Sequence, residues 1–419
     1  MSFQRRRLQA ESVTKLTEQL PIQDFLDSLE SQGGRIFAKR LAANDTLATH
    51  SHQAGPYVPK SVAFDIFPSL QDSSDENPRV ELDAEVISHG LEPRAINIIW
   101  YNQKTRDECH ITRWGGAGSP VLDPDATGSL CLYAFNDRLK NDSDYCGVWL
   151  CQNLEEEDEF EKRFGVVDPG VPLYIKIGSG SIEFQEPTID YTPIGETLSL
   201  WGDIKNEGRF PTGQEIVTKV AEANPALADL PVDERLLRRR EAEFAEFRRL
   251  ESEVVLSTIR DGFGDVEKFV KYANSVTNRR KARSGRSLEL QIKLILSEEG
   301  LHGFAHDEVA EGGKRPDFIF PSMQAYKNSE YPDNGLRMLA CKTTCKDRWR
   351  QVTDEADRIG EKHLLTLQEG VSENQFNQMK KAGVKLVVPK GLHKKFPKSV
   401  RSELMSIEDF IAEVRRLAD

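Results

Sequence analysis

Long apolar runs are missing from this chain of 419 residues. None approaches the roughly 18 residues needed to cross a bilayer, and the mean hydropathy is −0.53, so no membrane partner is expected. The opening MSFQRRRLQAES carries basic residues with no apolar segment behind them, so it does not read as a secretory signal. Cysteine is scarce too, with six residues and no CxxC spacing. That argues against a disulfide framework or a zinc finger and fits a reducing cytoplasm. Positive charge is in deficit: 56 Lys and Arg against 68 Asp and Glu give a net −12. A uniformly basic polyanion coat is thereby excluded, but a local nucleic-acid site is not. What is present is ordinary core material. Hydrophobic residues at 38% and aromatics at 8% exclude wholesale disorder, and the length exceeds what one core usually holds, so two domains are expected.

Charge is unevenly spread. Glu155 to Glu161 (EEEDEFE) is acidic and reads most simply as a solvated surface helix or loop. Asn278 to Arg286 (NRRKARSGR) holds five basic residues and no acid, and Lys380 to Arg401 holds eight and no acid. Two such islands in an acidic chain suit a molecule that repels polyanions in general and admits one at a defined face; solvated helix ends would look the same.

The first part of the chain alternates short β-branched and aromatic runs with Gly, Pro, Asn and Asp. Strands are expected at Val62–Phe67, Val80–Ile87, Ala95–Tyr101, His110–Trp114, Ser129–Phe135, Tyr145–Cys151 and Leu173–Ile177, which suggests an all-β barrel or sandwich over residues 1–184. Gln185 to Leu198 has two prolines and no apolar period and is expected to be a linker. From 199 to 419 the pattern turns helical and then alternates. Helices are expected at Gly213–Ala228 and Val232–Arg260, and another opens at Ser287, which can cap it. Strands at Asp317–Phe320, Leu336–Thr343, His363–Leu367 and Val384–Val388, with helices near Arg348–Gly360, Glu373–Ala382 and Ile407–Leu417, give an α/β domain around a mixed sheet.

Three charged residues fall where such a sheet would bring them together. Asp317, after Pro316, opens one strand; Lys342 ends the next; Glu355 follows Lys342 after twelve intervening residues, on the helix that leaves the strand. Buried unpaired, these charges are costly. They make sense around a divalent metal and a phosphate, with carboxylates ligating Mg²⁺ by oxygen and the Lys stabilising charge on the scissile group.

This pattern resembles the PD-(D/E)XK nuclease core in a known variation. The carboxylate ordinarily two residues before the Lys is replaced here by Ala340, and Glu355 stands at the shifted position, K-x12-E. Glu289, in the first turn of the helix opening at Ser287, fits a further acidic residue of that branch. Segments such as ANDTLATHSHQ, KTRDECHITRWG, FGDVEKFVKYANSVTNRRKARSGRSLEL, RPDFIFPS and LACKTTCKDRWRQ are similar to the EcoRII-type restriction endonucleases over nearly the whole chain. The resemblance implies a Type II site-specific endonuclease. It would cut double-stranded DNA at a CC(A/T)GG-like site, with an N-terminal DNA-binding pseudobarrel that takes a second copy of the site and controls the C-terminal nuclease. It further implies a cytoplasmic homodimer, matching a near-palindromic site, paired with a cytosine DNA methyltransferase.

By the same resemblance, Lys346, Asp347 and Arg348 would read the G·C-rich edge, for which their donors and acceptor are suited; as structure alone they would be a helix cap. Arg240 and Tyr326 match positions that hold flipped central nucleotides, although a Tyr there could simply be core. His52, Tyr57, Lys104, Arg106 and Glu108 match DNA-contacting positions of the N-terminal domain. The family's basic pair after that Glu is Cys109 and His110 here, which should weaken phosphate contact.

Two other functions fit parts of the pattern. One is a DNA-binding regulator with a decayed nuclease core, against which the intact Asp317, Lys342 and Glu355 speak. The other is a non-specific repair nuclease of the same fold. His302 and His306 lack further ligands at metal spacing, Cys341 and Cys345 read as small strand residues, and GGAGSP at Gly115 reads as a turn.

Overall fold

The computed structural model describes residues 20–49, 55–136, 141–178, 181–185 and 210–418. The N-terminal half runs α1 (Ile22–Gln32), β1 (Gly34–Arg40), β2 (Tyr57–Val58), α2 (Lys60–Ile66), α3 (Pro68–Asp72), β3 (Arg79–Val86) and β4 (Arg94–Tyr101). It continues through β5 (Glu108–Thr112), β6 (Leu130–Phe135), β7 (Tyr145–Leu150), α4 (Leu154–Phe164), β8 (Leu173–Gly178) and β9 (Ser181–Gln185). The nine strands form one sheet in the order β2-β5-β4-β3-β7-β6-β1-β8-β9, antiparallel except for β3 beside β7. Val58 of β2, Ile98 of β4, Val148 of β7 and Tyr174 of β8 share a single core with Phe37 and Trp114. Strands from both ends of the order therefore face the same interior, which makes the sheet barrel-like. On its other face α1 and α4 cover β1, β6 and β8 through Phe25, Leu26, Phe160 and Phe164.

Two expectations fail here for local reasons. Val62–Phe67 is not a strand but the body and C-cap of α2: Val62, Ala63 and Ile66 fall at helical spacing and are its buried residues. The acidic run on α4 is not freely solvated, since Glu157 and Glu161 are buried against Arg40 at 2.8 and 2.9 Å. The linker expected at 185–198 lies outside the described residues, apart from Gln185, which ends β9.

The C-terminal half opens with helices: α5 (Gly213–Ala223), closed at its start by a Thr212–Glu215 capping box, then α6 (Val232–Asp261) and α7 (Val266–Glu298). These are followed by β10 (Ala305–His306), β11 (Phe318–Phe320), α8 (Met323–Lys327), β12 (Arg337–Cys341) and α9 (Trp349–Thr353). The chain ends with β13 (Lys362–Leu365), α10 (Glu373–Lys381), β14 (Val384–Val387) and α11 (Ile407–Ala418). The sheet runs β10-β11-β12-β13-β14, antiparallel up to β12 and parallel beyond it. Helices α6, α7 and α11 cover one face around Leu288, Leu339 and Phe410. The other face packs Ala340, Leu364 and Leu386 against Trp349, Val352 and Phe376.

The helix expected to open at Ser287 is part of the single 33-residue α7. Ser287 is no cap, for its hydroxyl donates to Glu243 at 2.5 Å across the α6–α7 contact. The basic run before it is helical as well, and much of it points inward. Arg279 lies over the Phe210 ring at 4.6 Å, Arg283 over Phe244 at 4.6 Å, and Arg280 pairs with Glu251 at 2.7 Å. The helix expected at Arg348–Gly360 shrinks to the short α9, because Ala356 takes a left-handed φ of 50°.

Candidate active site

The register between β11 and β12 pairs Phe318 with Leu339, so one step further Asp317 lies beside the end of β12. Its Oδ2 accepts from the Cys341 backbone N–H at 2.7 Å and from Lys342 Nζ at 3.0 Å. Lys342 in turn donates its backbone N–H to Leu365 of β13 at 2.9 Å, which holds its stem against the sheet. Burial pulls the Lys342 ammonium down, but Asp317 and Glu355 outweigh it and leave its pKa above the ordinary value.

Glu355 is not on a helix, as the spacing suggested. It sits in the turn just past α9, and that turn carries its carboxyl back toward Lys342. Burial pushes this carboxyl up to about 7, with Lys342 opposing and Asp317 adding to the rise. Its Oε2 is buried without a hydrogen-bond partner. Glu289 is not in a first helical turn but well inside α7, so the helix-end electrostatics that would explain a carboxylate there do not apply. Burial, and after it the Asp317 charge, push Glu289 up to about 7. Three carboxylates thus converge on one Lys, two of them destabilised as anions and one with an unsatisfied buried oxygen. An all-oxygen set with a spare ligand atom fits a hard divalent cation.

Ala340 is fully buried within the apolar face of the sheet and offers no ligand atom. His306 brings its buried Nε2 to 3.9 Å from Glu289, where it makes no hydrogen bond. A different group, Glu361, His363 and Glu413, has ligand atoms within 4.8 Å of one another. Arg337 already pairs with Glu413 at 2.6 Å, and Lys385 approaches both carboxylates at 3.6 and 3.8 Å, so the two negative charges there are matched by two cations.

The cluster faces a cleft of about 410 Å³ whose far wall is the N-terminal half: Arg40, Leu154, Asp158, Glu161 and Asp168 stand opposite Glu289, Lys342, Thr343 and Arg348. Asp168 accepts from the Ser284 hydroxyl at 2.8 Å and lies 3.7 Å from Arg240 and 3.6 Å from Arg283. Burial would raise its carboxyl, but the two guanidinium groups outweigh that and hold it below the ordinary value. Asp158 approaches Lys281 at 3.7 Å. Further along, Asp125 accepts from Asn374 at 2.9 Å and from Ser372, Ala43 N–H donates to Glu369 at 2.9 Å, and Lys346 bonds Ser129. Nothing in the local sequence VVDPGVP marks Asp168; only the assembled halves reveal it.

The expected base-reading residues are therefore partly engaged. Lys346 is held by Ser129, Asp347 caps no helix and pairs with Arg350 at 3.5 Å, and Arg348 lines the cleft with a buried, unpartnered Nε. Arg240 is buried against Asp168. Tyr326 is a core residue, 2% exposed, whose hydroxyl donates to Glu311 at 2.7 Å, so its ring offers no face to a displaced base.

In the N-terminal half His52 lies outside the described residues. Tyr57 is exposed and packs edge-on against His110 at 5.7 Å. Exposed Arg106 lies over the Tyr101 ring at 5.6 Å and 4.0 Å from Glu108, which approaches His110 at 3.5 Å. Lys104 is exposed at the β4–β5 turn. Tyr57, Arg106 and Glu108 are joined through Tyr101 and His110 into one patch. Cys109 points the other way into the core, whereas His110 lies on the side of Tyr57 and Glu108.

Residues 247–411 match the family described as EcoRII C terminal, and residues 30–179 match the family described as restriction endonuclease EcoRII, N-terminal. The chain is 44% identical over 391 residues to the Type II restriction enzyme EcoRII of Escherichia coli, covering 91% of this chain and 94% of the relative. It is 25% identical over 155 residues to the Type II restriction enzyme SsoII of Shigella sonnei, covering 35% of this chain and 50% of that one. Among solved structures, metal-depleted Ecl18kI in complex with uncleaved, modified DNA is similar at 20% identity and a TM-score of 0.40, over 54% of this chain and 84% of that one.

Proposed function

This chain belongs to the EcoRII family of Type II restriction endonucleases, and we propose that it hydrolyses double-stranded DNA with Asp317, Lys342, Glu355 and Glu289 as its catalytic group. The observation that carries the assignment is the buried, unpartnered Oε2 of Glu355 beside the Asp317–Lys342 pair. Mg²⁺ bound by Asp317 and Glu355 would supply a Lewis acid that activates water and neutralises the scissile phosphate. Lys342, with its raised pKa, stays a cation at neutral pH and serves as charge toward the developing phosphorane oxygens, not as a base. Glu289, titrating near 7, is poised to accept a proton from water or to hold one. Lys346, Asp347 and Arg348 supply base-edge donors and an acceptor once the cleft opens, and the likeness to EcoRII supports a CC(A/T)GG-like target. A homodimer would place two such centres on the two strands of a near-palindromic site, and a cytosine methyltransferase in the same cell would protect that site. Plasmid digestion in Mg²⁺ against EDTA, with the product ends sequenced, tests the reading. A failure to give discrete fragments would return it to a non-specific nuclease, and no cleavage at all would return it to a DNA-binding regulator.

The second part of the proposal is control by the N-terminal half, taken as residues 1–184. Its Asp158 and Asp168 carboxylates stand against Lys281, Arg240 and Arg283, cations on the helices that wall the cleft. An incoming phosphate backbone would compete for the same cations. Binding of a second DNA copy at the Tyr57–Lys104–Arg106–Glu108 patch would favour undocking, a coupling between two sites in the thermodynamic sense.

A further inference from the structure

The buried Oε2 of Glu355 has no hydrogen-bond partner, so its aim is set by the turn that carries it. That turn is an awkward one. Ala356 holds a left-handed φ of 50° without being glycine, which crowds its Cβ against the backbone. The peptide that joins Ala356 to Asp357 is gripped at both ends. Its carbonyl accepts from Lys362 Nζ at 2.8 Å, and its N–H donates to the Glu311 carboxylate at 2.6 Å. A cation thus sits on the oxygen and an anion on the nitrogen, the stronger kind of hydrogen bond in each case. The two grips come from different elements: Lys362 opens β13, and Glu311 lies in the loop ahead of β11, where the Tyr326 hydroxyl donates to it at 2.7 Å.

Packing does not explain Lys362. It is 6% exposed, and no carboxylate pairs with its ammonium among the described residues. A buried ammonium bonded to a carbonyl costs free energy that a Met of similar length would not. The carbonyl does not depend on it either, because the Ile359 N–H also donates there at 2.9 Å. What Lys362 adds is a fixed point. Its backbone N–H donates to Gly383 at 2.8 Å and it stands in register with Val384 of β14, so the turn is tied to the sheet and not only to itself. Its charge acts at the same place: burial raises the Glu355 carboxyl, and after Lys342 it is Lys362 among the cations that opposes the rise. We propose that Lys362 is a positioning residue of the catalytic group, which through the Ala356 carbonyl holds the turn that presents the Glu355 carboxylate, with Glu311 clamping the other end of the same peptide. The inference rests on the reading of Glu355 as a metal ligand given above.

The test uses the full chain and Mn²⁺, which shares the oxygen-ligand preference of Mg²⁺ and whose free form is counted by electron paramagnetic resonance. Lys362→Met should weaken Mn²⁺ binding by about 10–100-fold, the range for partners that orient a metal ligand. In the Glu355→Ala chain, which has lost that ligand, adding Lys362→Met should change the affinity by less than about twofold, because both changes act through one group. With Mg²⁺, the loss should appear in kcat for plasmid nicking and not in KM for DNA. Glu311→Ala releases the other end of the peptide at a half-buried residue, so it decides the matter should Lys362→Met lower the melting temperature. It too should weaken Mn²⁺ binding severalfold, and only while Glu355 is present. Unchanged affinity in either variant, or an equal loss with and without Glu355, would overturn the proposal. The ligand reading is judged by Glu355→Ala itself. If that change leaves Mn²⁺ affinity intact, Glu355 is no ligand and both readings fall; if it weakens binding while Lys362→Met does not, this inference falls alone.

Discussion

Replacing Asp168 by Ala asks whether one buried carboxylate holds the cleft shut. In the docked arrangement Asp168 is 8% exposed, accepts from Ser284 at 2.8 Å and faces Arg240 and Arg283 at 3.7 and 3.6 Å. A low-dielectric Coulomb sum would overstate its effect, since undocking returns all of these groups to water. The usable measure is the cost of truncating one member of a desolvated charge set, about 2–5 kcal/mol, much of it from leaving the partner charges buried alone. Glu243 lies 3.9 Å from Arg283 and offsets part of that cost, so the lower end applies, about 2 kcal/mol. While the docked form dominates, the initial rate on DNA with a single site should then rise roughly thirtyfold. The assay is the nicking rate of a one-site supercoiled plasmid in Mg²⁺, with and without an added duplex carrying the site. A fragment beginning at Ser199 sets the ceiling. Asp168→Asn keeps an acceptor for Ser284 and should fall between wild type and Asp168→Ala. The carboxyl's pKa is depressed in the docked form, so its contribution is present throughout neutral pH and is lost only as pH falls through that lowered value. A one-site rate within about twofold of wild type for Asp168→Ala, beside a much faster fragment, would refute the reasoning and move the restraint to the Asp125 or Lys346 contacts.

Lys342→Ala should bind DNA yet lose cleavage by a hundredfold or more, on the order of 3 kcal/mol in the barrier; retention of a tenth of wild-type cleavage in a nicking assay would sink the role given to Lys342. Glu355→Ala should impair cleavage far more than Ala340→Ser, which sets a hydroxyl into an apolar face and is read instead as a lowered melting temperature; equal effects on cleavage would reject the shifted-carboxylate reading. Glu289 and Glu355 are raised from 4.5 to about 7, so in the metal-free protein their contribution to stability is full below about 4.5 and is lost as pH rises through 7. Mg²⁺ held by Glu355 must displace its proton, so the metal's affinity should climb with pH through 7 with proton release detectable by calorimetry in buffers of different ionisation enthalpy; a pH-independent affinity would count against Glu355 as a ligand.

Much of this molecule is readable before it is folded. Strands β3 to β8 carry the alternation or the β-branched runs that mark them, and the capped α10 announces itself through Ser372 and Gln375. Strand β1 does not: GRIFAKR is buried along its whole length, so it has no two-residue period, and Arg35, Lys39 and Arg40 disguise it by pairing with Asp65, Asp45 and Glu157. The continuity of α7 is hidden by Ser284, Gly285 and Ser287, helix-weakening residues that tertiary contacts override. In the site, residue types and spacing locate Asp317, Lys342 and Glu355, but they misplace the element bearing Glu355, since the left-handed Ala356 leaves no mark in composition. The carboxylates of the N-terminal half that meet the nuclease cations are invisible for a simpler reason. Asp158 and Asp168 acquire meaning only from Lys281, Arg240 and Arg283, cations of the other half of the chain.

The unbroken α7 has a mechanical consequence. At 1.5 Å per residue its 33 residues make a rod of about 50 Å, with Val266 at one end and Glu289 toward the other. Such a rod bends most easily at a glycine, and Gly285 is placed with Arg283 and Ser284, which hold Asp168, immediately before it and Glu289 four residues after it. An added Cβ there would meet nothing within 4 Å, so Gly285→Ala should stiffen the rod and raise stability by about 1 kcal/mol without strain. If the enzyme works by flexing at this point, its melting temperature would climb while its response to added effector DNA would shrink. The same residue would then set both how firmly the helix stands and how far a tug on Asp168 travels toward the metal ligands.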